Sequence, residues 1–230
     1  MLPEVRRPSD QHRTCLGVRS AAKMASTHPY LSLSLPEDAP FELKPSPGKG
    51  WGVFATKDII KGSRVLTEHT LFVIRKPAEH TTEADIWQAL ATLTPAEAAQ
   101  FLSIVYTHEA PILGIFGLNC WYVPKIAVYG FFVLHSRINH SCLPNCKALT
   151  RAEEGLSATA TRDILKGEEI TTCYGTDFDR RVRSDRHRLL QFVCKCELCC
   201  AGTTAQQLSD LRRTLLRGLG YVLRSRPGME

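Results

Sequence analysis

Arg137-Ile138-Asn139-His140-Ser141-Cys142-Leu143-Pro144-Asn145-Cys146 sets two amide side chains, an imidazole, two thiols and a proline into one short run. Two later segments give it context. Gly167-Glu168-Glu169-Ile170-Thr171-Thr172-Cys173-Tyr174 reads as a turn opening into a strand, and Cys194-Lys195-Cys196-Glu197-Leu198-Cys199 carries thiols at metal-ligand spacing. Each segment alone is weak. Their order along the chain is as informative as their content.

The chain has 230 residues, enough for one well-buried core with a small appendage and cramped for two full domains. Hydrophobic residues at 43% and charged residues at 23% are ordinary for a soluble globular protein. No apolar run reaches about 18 residues, so no membrane span is expected. The N-terminus lacks the continuous apolar stretch of a secretory signal. Residues 1–40 show no sustained period and are expected to be a flexible leader, with Met24 as an alternative start. The formal net charge of +6 comes largely from that leader and from Arg180, Arg181, Arg183, Arg186, Arg188, Arg212, Arg213 and Arg217. These basic residues are not interleaved with aromatics. They are expected to form a solvated helical face, with no sequence-specific nucleic-acid partner. A monomer in the nucleus or cytoplasm is the expected state.

Nine cysteines without a secretory signal argue against a disulfide framework. Clustered thiols in a reducing compartment favour zinc in a tetrahedral shell. Cys194, Cys196 and Cys199 supply three ligands. Cys200 is a poor fourth because it adjoins Cys199, so Cys142 is the expected partner and Cys146 the alternative.

Periodicity sketches the elements. Phe41–Leu43 and Trp51–Ala55 read as strands around a turn at 45–48, and Val65–Ile74 as one further strand. Between 82 and 107, Ile86, Leu90, Leu93, Ala98, Phe101, Leu102 and Val105 fall near helical spacing, with Thr94 capping a second helix that starts at Pro95. Phe131–Leu134 is a strand or a helix. Leu156–Ala160 and Glu169–Tyr174 read as strands, and 204–224 as a helix with Leu208, Leu211, Leu215, Leu219 and Val222 on one stripe. This pattern lacks alternating βαβ units, and Gly50-Trp51-Gly52 is no dinucleotide fingerprint.

Over about residues 41–200 the chain resembles SET-domain protein lysine methyltransferases, in particular compact fungal-type and SMYD-like members with a cysteine-rich post-SET motif. The resemblance implies an α+β class, with a β-rich SET fold of short strands, a helical insertion, the post-SET segment and a C-terminal helix. The implied boundaries are a leader over 1–40, the SET domain over 41–176 with its insertion at about 80–125, a post-SET zinc segment over 177–200, and a helix and tail over 201–230. S-adenosylmethionine is the implied cofactor, with one structural zinc ion at Cys142, Cys194, Cys196 and Cys199. Lys49, Gly50, Trp51 and Gly52 match the family's first cofactor motif, where glycines allow close backbone approach. Asn139 and His140 match the second, chiefly through the amide and neighbouring backbone, and Phe192 matches an adenine-stacking aromatic. Tyr174 matches the tyrosine beside the transferring methyl and the target nitrogen. The implied partner is a protein presenting a lysine, a histone or nucleosome among them. Leu190 stands where many relatives carry a channel tyrosine, and residues 56–120 lack the cysteines of a MYND insertion. Two other classes stand beside this one. One is an inactive SET-like scaffold; the other is a cysteine hydrolase using Cys142 or Cys173 with His140.

Overall fold

A computed structural model describes residues 28–108, 111–124, 126–150 and 155–224; the side chains of 105–108 and 224 lie outside the described set. The strands and helices in chain order are β1 (Phe41–Ser46), β2 (Gly50–Ala55), β3 (Arg64–His69), β4 (Phe72–Ile74), α1 (Glu83–Leu90), α2 (Pro95–His108), α3 (Ile112–Asn119), β5 (Cys120–Val123), β6 (Val128–Phe131), β7 (Asn139–His140), β8 (Cys146–Thr150), β9 (Gly155–Ala160), β10 (Glu169–Thr172), α4 (Arg183–Leu190) and α5 (Thr204–Arg224). No described helix is long and apolar enough to cross a membrane.

The strands form three small sheets, ordered β1-β2-β10-β7, β3-β9-β8 and β4-β6-β5. All pairings are antiparallel except β10 with β7. Pro45 sits inside β1, which an edge strand tolerates because one side of its ladder needs no N–H donor. The expected single strand over 65–74 is two strands. β3 pairs with β9 and β4 with β6, so the chain changes sheet at Thr70-Leu71. Phe131 ends β6, while Phe132–Leu134 belongs to neither a strand nor a helix.

The helical insertion follows its local signals. Thr82 and Asp85 form a reciprocal capping box at α1. At α2 the Thr94 N–H donates to Glu97 Oε2 at 2.9 Å and the Glu97 N–H to Thr94 Oγ1 at 3.3 Å. The third helix, α3, escapes periodicity because Ile112, Ile115 and Phe116 are buried among two glycines in a short apolar run. Phe72, Phe101, Phe116 and Phe131 then pack ring to ring, with centroids 4.8–5.6 Å apart, locking the insertion to the β4-β6-β5 sheet.

Two sequence expectations are corrected here. The leader does not reach residue 40: Tyr30 and Leu33 are buried in the main core, and His28 stacks on Trp51 with centroids 4.2 Å apart. The polar surroundings of Tyr30 concealed its burial, since a single buried aromatic in a short turn has no period. Residues 1–27, Cys15 included, lie outside the described residues. The basic stretch 180–188 is not uniformly solvated either. The expected helix is there as α4, but Arg186 on it is fully buried. The leucine stripe of α5, by contrast, is exposed along its length, with Leu211, Leu215, Leu219 and Val222 all more than half open to solvent.

Phe131 is fully buried and touches two rings of the aromatic cluster. Phe131→Ala is expected to lower unfolding free energy by about 3–5 kcal/mol, read by urea denaturation, because it opens a cavity between the sheet and the insertion helices that packed neighbours fill only in part.

Candidate active site and thiol cluster

The parallel pairing of β7 with β10 sets the centre of the site. Asn139 lies opposite Thr171 and His140 opposite Thr172, so the chain leaving β10 emerges beside His140. Asn145, nearly inaccessible, fastens this arrangement. Its Oδ1 accepts the Thr171 N–H at 2.8 Å, and its Nδ2 donates to the Glu169 carbonyl at 2.9 Å.

Tyr174 comes next. Its N–H donates to His140 Nδ1 at 3.1 Å, and its hydroxyl donates to the Ile138 carbonyl at 2.9 Å. The ring is half exposed, but the oxygen is turned inward. Burial pushes the phenol up to about 12 against the pull of Arg137, so it is neutral near pH 7. It is a donor and an acceptor, not a base.

The bond from Tyr174 also decides the histidine tautomer. A backbone N–H can only donate, so Nδ1 accepts and the proton sits on Nε2. That nitrogen lies 3.2 Å from Cys142 Sγ. Burial holds His140 down to about 4, against the opposite pull of Cys199. Both imidazole nitrogens are therefore occupied, which leaves only the His140 backbone for a cofactor.

Glu169 gathers the other candidates. Its Oε1 accepts from Asn139 Nδ2 at 2.7 Å and Ser46 Oγ at 2.8 Å, and Lys49 Nζ lies 2.6 Å from Oε2. Burial alone would raise this carboxyl, but the bonds from Lys49, Asn139 and Ser46 hold it below the usual carboxylate range. Asn139 Nδ2 also donates to the Trp51 carbonyl at 3.0 Å. Both amide hydrogens are thus used, and Asn139 presents Oδ1 alone to any ligand. Gly52 is required by this network itself: a Cβ there would meet Glu169 Oε1 at 2.7 Å and Asn139 Nδ2 at 2.8 Å. Gly50 has φ +77° with open space around it. The Trp51 ring is turned away to His28, so its backbone is what faces Asn139.

Aromatic rings surround His140. Tyr174 lies 5.2 Å away, Phe178 5.7 Å and Phe192 6.1 Å, centroid to centroid. Phe178 was not anticipated. Its burial depends on Gly175, where a Cβ would stand 2.1 Å from the ring. A cavity of about 870 Å³ opens beyond Tyr174, lined among others by Trp121, Leu143, Lys147, Phe178 and Arg213. Lys49, Gly52, Asn139 and Phe192 do not line it. Tyr174 borders both regions.

Four sulfurs converge beside this site. Those of Cys142, Cys194, Cys196 and Cys199 all lie within 4.8 Å of one another, with Cys142 and Cys199 3.5 Å apart. Tetrahedral zinc with Zn–S bonds of about 2.3 Å needs sulfurs about 3.8 Å apart, so the set fits that ion. Cys146 is buried in β8, where burial pushes its thiol up to about 12, and Cys200 is exposed; neither belongs to the cluster. The cluster also disposes of a thiol nucleophile at Cys142, which is 5% exposed and enclosed by three other thiols and Arg186.

Of the anticipated residues, the fold thus joins Lys49, Gly50, Trp51, Gly52 and Asn139 around Glu169. It sets His140, Tyr174 and Phe192 beside the four cysteines. Sequence reasoning passed over Asn145, although it lies in the decisive run. It also passed over Glu169, which reads as a solvated carboxylate until the Lys49 partner is seen. Asn119 turns its amide back to the Ile115 carbonyl at 2.8 Å.

Comparison with known proteins bears on the family. Residues 50–175 match a family model described as the SET domain. The chain is 32% identical over 184 residues to the histone-lysine N-methyltransferase set5 of Schizosaccharomyces pombe, covering 76% of this chain and 56% of that protein. It is 44% identical over 80 residues to the human protein-lysine N-trimethyltransferase SMYD5, covering 31% of this chain and 19% of that protein. A 49-residue stretch is 51% identical to the histone-lysine N-methyltransferase set9 of Aspergillus fumigatus, covering 21% of this chain and 8% of that protein. The matched stretch is thus little more than half the length of the fission-yeast relative, and a smaller share of the others.

The thiol geometry yields a direct expectation. Purified chain should carry about one zinc ion by elemental analysis, as four-thiolate coordination requires. Cys142→Ser and Cys196→Ser should each lose it, while Cys146→Ser should keep it. Full retention by Cys142→Ser would exclude that sulfur as a ligand.

Proposed function

We propose that this chain, which belongs to the SET-domain family, transfers a methyl group from S-adenosylmethionine to a lysine side chain of a protein. The observation that carries the reading is the position of Tyr174. It lies between the Asn139-His140 segment on one side and an open cavity on the other. A cofactor held by the first and a lysine entering through the second would meet at its hydroxyl.

The residues that would hold the cofactor are the backbone of Lys49, Gly50, Trp51 and Gly52, the Asn139 Oδ1, the His140 backbone and the Phe192 ring. When bound, S-adenosylmethionine supplies a methyl already activated by its sulfonium. The protein's task is then alignment and the presentation of a neutral amine. The Tyr174 hydroxyl spends its proton on the Ile138 carbonyl, so its oxygen lone pairs are left to accept an N–H from the target amine. That bond orients the nitrogen without taking its proton. A free lysine has a pKa near 10.4, so presenting it neutral at pH 7 costs roughly 5 kcal/mol, and desolvation against apolar walls offsets part of this. Leu143 and Phe178 supply such walls.

The cavity is the seat we assign to the substrate segment that carries the lysine. Helix α5 contributes Arg213 to its lining, so this helix takes part in substrate seating. Histones are among the substrates supported by the names of the fungal relatives, and a nuclear or cytoplasmic location goes with them. One zinc ion at Cys142, Cys194, Cys196 and Cys199 would pin the tail, and with it Phe192, against the Asn139-His140 segment.

Two variants test the assignment. Tyr174→Phe should bind cofactor like the parent by isothermal titration yet lose most methyl transfer, because only the orienting oxygen is removed. Unchanged turnover would take Tyr174 out of the mechanism. Asn139→Ala should weaken cofactor binding by about 1–3 kcal/mol, the usual cost of stranding buried polar partners. Parental affinity in a folded Asn139→Ala protein would move the cofactor elsewhere.

A further inference from the structure

Arg186 is the largest fully buried side chain among the described residues, and it stands at the thiol cluster. Its Nε donates to Cys142 Sγ at 3.2 Å, and one terminal nitrogen donates to Cys199 Sγ at 3.3 Å and to the Leu198 carbonyl at 3.2 Å. The other donates to the Arg181 carbonyl at 2.6 Å and to Asp210 Oδ1 at 3.3 Å. A guanidinium has five N–H donors, and these bonds use all of them.

The charge balance gives this placement a purpose. Four thiolates around a divalent ion leave a net charge of about −2, and a buried excess of that kind needs a cation in contact with it. Lysine would serve poorly, because a point ammonium cannot span two sulfurs, two carbonyls and a carboxylate in fixed directions.

Asp210 extends the link to α5. Its Oδ1 also accepts the Arg183 N–H at 2.8 Å, and its Oδ2 accepts from Gln206 Nε2 at 2.7 Å. Arg213, on the same helix, donates to the Cys142 carbonyl at 3.0 Å and to the Phe178 carbonyl. Apolar burial does little to hold α5: Ser209 is its one buried side chain among those described, and its leucines face outward. The helix is held chiefly by polar bonds that lead back to the cysteine segments.

We propose that Arg186 is a positioning residue for the metal centre and that, through Asp210, it makes the docking of α5 depend on the occupied centre. The proposal rests on the reading of the four cysteines as a zinc site. Occupancy of that site then governs a wall of the cavity beside Tyr174, at a distance from the reacting atoms.

The test uses the full chain loaded with zinc, with two readouts. In competition against a chromophoric chelator, Arg186→Lys should bind zinc about 10–100-fold more weakly than the parent, the usual effect of losing a partner that orients metal ligands. Arg188→Gln, at an exposed arginine of the same helix, should bind zinc like the parent. In hydrogen exchange, chelation of the parent should accelerate the amides of residues 204–224. Asp210→Asn should keep its zinc but show that acceleration already in the loaded state. Parental zinc affinity in Arg186→Lys, or equal weakening in Arg188→Gln, overturns the positioning role. Exchange in α5 that ignores both chelation and Asp210→Asn overturns the coupling. A parent chain that binds no zinc in the same titration fails at the earlier step, since it removes the metal reading itself.

Discussion

Everything in the site hangs on the meeting of Cys142 with a tail more than fifty residues away in sequence. Cys194, Cys196 and Cys199 bring their sulfurs to within 4.8 Å of it, and the intervening chain must fold around that closure. Loop closure over such a distance costs entropy that grows only slowly with length. The contacts that repay it are strongly polar: a buried guanidinium on two of the sulfurs, a histidine N–H on one, and Arg213 on the Cys142 carbonyl. Taking away any one partner leaves another buried polar group unmatched, which is far more costly than the small net worth of a typical hydrogen bond. The cluster therefore behaves as a unit.

His140 is the hinge between this cluster and the chemistry. Its Nε2–H points at Cys142 and its Nδ1 receives the Tyr174 N–H, so one imidazole ties a sulfur of the cluster to the backbone of the proposed catalytic tyrosine. On the far side, Glu169 does comparable work for the cofactor segment. It consumes the Asn139 amide hydrogens together with Trp51, neutralises Lys49, and forbids a Cβ at Gly52. Neither His140 nor Glu169 needs to touch a reactant to matter. Each sets the direction in which a neighbour presents its one remaining functional atom.

A large part of this was legible in the chain itself. The three segments, their order and the absence of βαβ alternation indicated a β-rich fold with a helical insertion, and the SET-domain match over residues 50–175 agrees. Capping at Thr94 and the three tail thiols were readable because both rest on short-range chemistry: a cap reads its own next turn, and Cys-x-Cys-x-x-Cys spacing lets three sulfurs share an ion. The fourth sulfur was an open choice between Cys142 and Cys146, and it is the folding of remote segments that brings Cys142 to the other three. The strand over 65–74 was misjudged because β-branched composition does not reveal a change of sheet partner. Helix α3 was missed because an apolar run that is buried all round has no period to detect.

The sequence by itself determined the residue types, the local elements and the tail cysteines, marked by their spacing, and it offered Asn139, His140 and Tyr174 through short segments that resemble a family's motifs. Only the tertiary structure decided what those side chains face. An arginine in a basic run looks solvated until two carbonyls, a carboxylate and two sulfurs close over it, as they do over Arg186. A glutamate at a strand mouth looks free until Lys49, 120 positions earlier, arrives beside it. An apolar stripe on a terminal helix looks like a core face, and in α5 it faces outward. In each case the deciding partner is remote in sequence, and burial and pairing are properties of the space between segments rather than of the segments themselves.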